Sequence, residues 1–239
     1  MFPVFTLSAQ AQSPTSSTSS TSSASTASTT TDVPASVFAH DQLVVEHQIL
    51  ARQVQLALLG TDLADAANVT TSDRSALTTT ITNEQTALST DATNAAAATT
   101  ETQLQAVREA MIGDERVYLV VTGQVNLVIQ ADNETVSEAA YTGLVTELTP
   151  LVTELNLTRA SALLSDITSQ VSASSSLTTG ISADALGLSP SGYPGNQSQI
   201  KTWDFQLAQA QHDLNVAKND VKEIEAIALG MHRIILKAL

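Results

Sequence analysis

Two histidines near residue 40 are the first residues whose chemistry stands out. His40 and His47 are seven residues apart, beside Asp41 and Glu46. A single helix chelates a metal ion with ligands three or four residues apart, and a di-iron bundle needs Glu-x-x-His on two helices. Neither pattern is present at these histidines. We therefore predict no metal site here, and we expect both side chains to lie in a helix interface that loosens when they become charged.

Other common catalytic patterns are missing from the chain. It has no P-loop, no dinucleotide-binding fingerprint and no Gly-x-Ser-x-Gly elbow, although serine is abundant. It has no cysteine, which excludes a thiol nucleophile, thiolate metal ligands and disulfides. We therefore predict a protein that is not an enzyme, with no catalytic residue, no cofactor and no metal.

Arg116 and Tyr118 stand together where the most apolar stretch of the chain begins. An arginine in this position could hold an anionic ligand, or it could pair with Asp114 or Glu115 and cap a core helix. Trp203 begins the last apolar seam and also has two interpretations: a stacking surface for a ligand, or the anchor at the base of a bundle. The sequence leaves both alternatives open.

These residues must be positioned by helices, and the clearest helix is the last one, from about Ser198 to Leu239. Apolar residues advance along it in steps of four and three, as in a heptad seam. A helix of this length extends roughly 60 Å. Other helices must cover the seam, because each large apolar side chain contributes on the order of 1.5–3 kcal/mol when buried. We predict that this helix is the inner spine of the bundle, along Trp203, Leu207, Ala210, Leu214, Ala217, Val221, Ile224, Ala228, Met231, Ile235 and Ala238.

Two helices are expected near the start of the folded region. The first is predicted over residues 36–60, capped by Ser36 and ended by Gly60. Its predicted seam consists of His40, Leu43, His47, Leu50, Val54 and Ala57. Thr71 or Ser72 should cap the second helix. The seam of that helix is expected to contain Leu77, Ile81, Leu88 and Ala92.

Further helices are predicted downstream. Thr100 and Gln103 form a capping box. Seams at 141–155 and 160–171 are close in sequence and are candidates to cover the last helix. Pro150 should kink or split the helix near Thr149. Residues 187–197, rich in Gly and Pro, are expected to form a loop.

The stretch 116–131, RVYLVVTGQVNLVIQA, permits two interpretations. As a hairpin it would turn at Thr122-Gly123, although a two-residue turn favours Asn-Gly, Asp-Gly or a leading Gly. As a helix it would be apolar on more than one side, as a central helix is. We favour the helix, with a bend at Gly123.

Three short segments together are similar to a broad group of bacterial exported, helix-rich proteins without an assigned activity. They are 116–119 with Gln124, then Ala131-Asp132, then 192–196 leading into a Lys/Asp/Ala-rich last helix. The similarity covers roughly residues 37–225. It implies several long helices behind a signal peptide, and it supplies no catalytic residue. Including these segments, the residues that could contact a ligand or partner are Arg116, Tyr118, Gln124, Tyr193 and Trp203.

The N-terminal residues and the charge indicate a location outside the cytoplasm. Residues 1–12 carry a short apolar patch and Ala9-Gln10-Ala11, the form of a signal-peptidase site, although the basic n-region is missing. Residues 13–35, almost pure Ser, Thr and Ala at first, are expected to be a disordered tether. The formal net charge of -14 disfavours nucleic acids, and no apolar run is long enough for a membrane span.

The sequence thus predicts an all-α protein with a helical domain over residues 36–239. We expect an elongated antiparallel bundle or a set of long helical hairpins, because apolar seams at helix spacing recur between short breakers. We predict a secreted or envelope-associated structural or interaction protein, a spacer or scaffold. Its partner is expected to be another copy of itself or an envelope protein. The alternative is an extracytoplasmic module that binds a small ligand around Arg116 and Tyr118.

Overall fold

Six α-helices make up the described part of the chain, and the prediction of an all-α bundle is confirmed. The computed structural model describes residues 35–189 and 192–238, with the side chains of 114–117 and 232–238 left out. The predicted signal segment and nearly all of the predicted tether therefore lie outside the described residues, which contain no strand. The helices are α1 (Ala35–Asp65), α2 (Thr71–Ala97), α3 (Glu101–Glu154), α4 (Thr158–Thr178), α5 (Ile181–Leu186) and α6 (Asn196–Ala238).

Helix α3 is the longest element, with 54 residues, which corresponds to about 80 Å. It begins at the predicted capping box, where the backbone N–H of Gln103 donates to Thr100 Oγ1 over 3.3 Å. The helical interpretation of 116–131 is confirmed, since that stretch lies wholly inside α3, and the hairpin is wrong. The helix also continues through Pro150 without being split. Pro150 and Thr146 are both exposed, so water can reach the Thr146 carbonyl that loses its helical donor.

The end of α1 differs from the prediction. Gly60 lies inside the helix, which continues for five residues to Asp65. The guanidinium of Arg74 ends it, donating to the carbonyl oxygens of Leu63, Ala64 and Ala66. A cationic donor is well placed there, because the last carbonyls of a helix have no intrahelical partner and carry partial negative charge.

Helix α3, and not α6, is the spine of the molecule. It packs against each of the other five helices, whereas α6 packs mainly against α4 and α3. The prediction that α6 is the inner spine is therefore wrong. The physical reason is the apolar content of α3 around 120–131, where buried residues occur on more than one side of the helix, so that neighbours can cover it from several directions.

Two hydrophobic cores lie along α3. The first joins α1, α2 and the first half of α3 with α5 and the start of α6, and its fully buried members include Ile49, Leu56, Leu63, Leu77, Leu104, Leu127 and Leu207. The second joins the end of α3 with α4 and the later part of α6. It contains Val152, Leu163, Ile167, Leu214, Ala217 and Ile224. The predicted cover of the last helix is confirmed for the seam at 160–171. At 141–155 it is confirmed only in part: Tyr141 and Leu148 pack against this core, whereas Leu151 and Leu155, which the same spacing placed on the seam, are exposed.

Polar contacts fix the directions of the helices. Near one end of the first core, Gln42 Nε2 donates to the Ala95 carbonyl of α2 over 2.7 Å. At the other end Arg74 of α2 reaches the last carbonyls of α1, so these two helices are antiparallel. In the second half, Arg159 of α4 forms an ion pair with Glu223 of α6 at 2.8 Å.

Helix α1 turns the opposite face to the core from the one predicted. Its buried residues are Val45, Ile49, Leu56, Leu59 and Leu63. All six residues of the predicted seam are exposed: His40, Leu43, His47, Leu50, Val54 and Ala57. The prediction was wrong because α1 is apolar on two opposite faces, and helical periodicity alone does not decide which of them meets the core.

Candidate functional site

The residues predicted to contact a ligand or partner have different surroundings in the structure. Trp203 is buried in the first core, and Tyr118 is half-buried against the same core. Tyr193 lies in the turn before α6, where its hydroxyl oxygen accepts a hydrogen bond from Gln197 Nε2 over 3.0 Å. The side chain of Arg116 is outside the described residues.

Gln124 is a structural clamp in the described contacts. Its Nε2 donates to the carbonyl oxygens of Ala185, over 3.0 Å, and Leu188, over 2.9 Å, which fixes the end of α5 against α3. Its Oε1 is buried and accepts no hydrogen bond in the part of the chain that the structure describes. These two carbonyls, one in α5 and one just after it, take both protons of the side-chain amide nitrogen, so this nitrogen has none left for a ligand.

Close packing of α3 and α6 explains the neighbouring glycine. A Cβ atom built on Gly123 would lie 2.9 Å from Cδ1 of Ile200, closer than carbon atoms normally approach. Gly123 therefore lets the start of α6 lie directly against α3. The sequence had suggested a bend at this position, whereas the structure gives it a packing role.

A buried carboxylate joins α3 to α4 in the second half of the molecule. Glu138 Oε1 accepts hydrogen bonds from Ser174 Oγ, over 2.6 Å, and from Thr178 Oγ1, over 3.1 Å. All three residues are buried. Hydrogen bonds to a charged acceptor contribute about 1.5–3 kcal/mol each, so this cluster holds α4 at a fixed register against α3.

One helical turn earlier, Glu134 is buried with no such support. It is 8% exposed, and no hydrogen bond reaches it from the described residues. Burial raises the pKa of Glu134, and the negative charge of Glu138 raises it further. Burial also raises the pKa of Tyr141, with a smaller contribution from the charge of Glu134. The arrangement favours the neutral form of Glu134 and has no cation beside it in the described structure.

A second buried carboxylate supports the connection between α1 and α2. Asp132 Oδ2 accepts from the Thr70 backbone N–H over 3.2 Å, and Thr70 in turn caps α2 by accepting from the Asp73 N–H over 3.2 Å. This cap lies one residue before the two that the sequence suggested. Burial raises the pKa of Asp132, and the hydrogen bond from Thr70 partly offsets that effect.

The outer face of α1 is the most unusual surface of the described structure. We call it the outward seam, and define it as Val37, His40, Leu43, Val44, His47, Leu50, Ala51, Val54, Ala57 and Leu58. Its large aliphatic side chains are exposed by 39% at Val44 to 60% at Leu58. It faces directly away from the core and carries no Asp, Glu, Lys or Arg. Contiguous apolar faces of this kind mark interaction surfaces on soluble proteins.

A groove borders the outward seam where α1 meets α3. It has a volume of about 530 Å³ and is lined by Gln48, Ala51, Arg52, Gln55, Arg108, Met111 and Ile112. Arg108 forms ion pairs with Asp41 at 3.4 Å and with Glu101 at 3.0 Å. Ile112 is 51% exposed, so α3 adds apolar surface beside that of α1.

The two histidines lie in the middle of the outward seam. Both are exposed, so the helix interface predicted for them is not one between the described helices, and in that respect the prediction is wrong. Among the side chains that the structure describes, no group of three His, Asp or Glu could hold a metal ion.

Comparison with family models, curated proteins and solved structures gives no match for this chain. Among the described helices, none is both long and apolar enough to cross a membrane.

Sequence reasoning missed most of these features for identifiable reasons. The 3–4 spacing of the outward seam was recognised, but its direction was not. The stretch 172–176 is rich in serine and does not continue the apolar pattern, yet Ser174 is fully buried. The signal that would have found it is the position of Ser174 and Thr178 three and seven residues after Val171, in line with the apolar seam.

Proposed function

We propose that this protein is a non-enzymatic structural or interaction protein, a spacer or scaffold that works outside the cytoplasm at the cell envelope. The observation that carries the proposal is the outward seam of α1. Packing of the described helices leaves this face exposed to water, where each exposed aliphatic side chain forgoes up to about 1.5 kcal/mol of burial free energy. A second protein surface would recover that free energy.

The sequence supports the location. Ala9-Gln10-Ala11 has the form of a signal-peptidase site, and the Ser/Thr-rich residues 13–31 are typical of spacers outside membranes and walls. The absence of cysteine is compatible with an exported protein that needs no disulfide. The net charge of -14 disfavours nucleic acids and anionic membrane surfaces as partners, which favours a protein partner.

The contacts favour this proposal over a small-ligand module. The alternative needs polar groups free to converge on a ligand near Tyr118. Both side-chain amide protons of Gln124 are engaged by carbonyls in α5 and just after it, and Trp203 packs in the first core. The outward seam, by contrast, is already exposed and needs no rearrangement to bind.

Site-specific photo-crosslinking in the native cells tests the proposal. A photoreactive residue replaces Leu50, at the centre of the outward seam, and the matched control replaces Thr86, an exposed residue of α2. We expect the protein in the extracytoplasmic fraction, with one discrete protein adduct from the Leu50 position and none from Thr86. A cytoplasmic protein, or the absence of any adduct at Leu50, would refute the proposal.

A further inference from the structure

The spacing of the outward seam is symmetric about its centre. Its six heptad positions advance in steps of three, four, three, four and three residues, from His40 to Ala57. The midpoint falls between Gln48 and Ile49. A two-fold axis through that point, perpendicular to α1, would bring the same face of two copies together in an isologous contact.

The residue types match across such an axis. Leu43 of one copy would meet Val54 of the other, and His47 would meet Leu50. His40 would meet Ala57, so each imidazole lies against an aliphatic side chain and never against the other imidazole. This is the knobs-into-holes pairing of an antiparallel coiled coil.

From these observations we infer that the outward seam joins two copies of this chain in an antiparallel, two-fold symmetric pair. The inference rests on the proposed function, because it names the partner that the same face binds.

The charges beside the seam permit this pairing despite the net charge of -14. On one side of the six heptad positions, the outward seam consists of Val44, Ala51 and Leu58, which are uncharged. The other flank has a single carboxylate, Glu46, which would come near Gln53 of the second copy. Like charges opposite one another would oppose the pair, and this face places none there. The acidic residues elsewhere in the chain make most other surfaces mutually repulsive.

The size of the face permits only a weak, reversible pair. From Val37 to Leu58 α1 extends about 33 Å, and its six large aliphatic side chains, about half exposed, offer roughly 300 Å² per copy if a buried side chain counts about 100 Å². Two copies would bury roughly 600 Å² of this surface, which is below the range of stable specific interfaces and in that of weak, transient ones. Because α1 is already folded on the first core, pairing does not require the helix to form, and that lowers the cost of association. We expect a dissociation constant on the order of 100 μM.

Sedimentation velocity of the full chain over a wide range of concentrations tests the pair. The wild type should pass from monomer to dimer. Leu50→Glu should raise the dissociation constant by about 100-fold or more, because two copies each lose a buried leucine and gain a buried charge. The matched control Leu151→Glu changes a leucine of α3 with nearly equal exposure, 54% against 55%, and should dimerise as the wild type does. Circular dichroism confirms that both variants are folded.

Disulfide trapping tests the register of the pair. Because the chain has no cysteine of its own, only the introduced thiols can form a disulfide. Leu43→Cys combined with Val54→Cys should give a covalent dimer on oxidation, whereas Leu43→Cys alone should not, since its two copies would be roughly 16 Å apart along the axis. A covalent dimer from Leu43→Cys alone would show that the two α1 helices pair in parallel, and it would overturn the inference. A wild type that stays monomeric, or a Leu50→Glu variant that dimerises normally, would also overturn it. A monomer that still gives an adduct with another protein in cells would leave the proposed function standing.

Discussion

Replacing Ser174 by alanine tests how the second half of the bundle is held together. The Ser174 hydroxyl is fully buried and donates to Glu138 over 2.6 Å. The substitution removes one oxygen and creates almost no cavity, so the lost hydrogen bond dominates the effect. A hydrogen bond to a charged group contributes about 1.5–3 kcal/mol, and we expect Ser174→Ala to lower the free energy of unfolding by about 2 kcal/mol.

Thr178→Val extends the same test to the second donor. Valine keeps the shape of threonine, and the bond from Thr178 to Glu138 is longer, at 3.1 Å, so we expect a loss of about 1 kcal/mol. Both bonds end on the same carboxylate oxygen. The double variant should therefore lose more than the sum of the single losses, with a coupling of about 0.5 kcal/mol or more, because it leaves that buried oxygen without a donor.

Urea unfolding followed by circular dichroism measures these differences. The matched control is Ser172→Ala on the same helix, where the exposed hydroxyl donates only to the Thr168 carbonyl one turn earlier, over 2.8 Å. The control should change the free energy of unfolding by less than about 0.5 kcal/mol. If Ser174→Ala has an effect as small as the control, the buried cluster does not stabilise α3 against α4 and the reasoning is refuted.

Three further substitutions test the packing and electrostatics. Burial raises the pKa of Glu134, so between about pH 4.5, the ordinary value, and the raised value the folded state binds more protons than the unfolded state, and the free energy of unfolding falls as the pH rises through that window. Glu134→Gln should raise the urea midpoint at neutral pH and make the midpoint less dependent on pH. An unchanged pH dependence would contradict the burial of a raised-pKa carboxyl group at this position. Arg74→Ala removes the hydrogen-bond donors at the end of α1 and should lower the free energy of unfolding by about 1–3 kcal/mol, with faster hydrogen exchange of the backbone amides around Leu63. Unchanged hydrogen exchange would contradict the role of Arg74 as a cap of α1. Ile224→Asp places a carboxylate in the second core and should lower the free energy of unfolding by about 4 kcal/mol or more. A variant with the urea unfolding of the wild type would show that the seam of α6 is not part of a core.

Much of the helical architecture follows from the spacing of apolar residues. The capping box at Thr100 and the seam of α6 from Trp203 to Ile224 were predictable, because local patterns determine helix starts and amphipathic faces; Ala228, predicted on the same seam, is exposed. The cover of that seam by residues 160–171, and in part by 141–155, was also predictable, because helices joined by short connections pack as antiparallel neighbours.

The direction of α1 was not predictable from its own sequence. Val45 and Ile49 repeat at helical spacing on one face, and Leu43 and Leu50 repeat on the other. Which face is buried depends on the surfaces that α2 and α3 present, and these belong to distant parts of the chain. The ending of α1 was missed for a similar reason, because the residue that caps it, Arg74, lies on the next helix.

Polar residues in the core were the other feature beyond sequence reasoning. Glu138 and Ser174 are 36 residues apart, and each alone resembles an ordinary surface residue. Only the packing of α3 on α4 brings donor and acceptor together, so that burial becomes favourable. Gln124 was selected as a ligand contact for its place in a motif, and it fastens α5 instead.

The most direct measurement for the central claim is the mass of the purified full-length chain in solution as a function of its concentration. If the outward seam of α1 is a binding face for a second copy, the weight-average mass rises from the 25.0 kDa of one chain toward twice that value at concentrations of hundreds of micromolar, and Leu50→Glu abolishes the rise. A mass that stays at one chain over the whole range, or a rise that Leu50→Glu leaves unchanged, would contradict the claim.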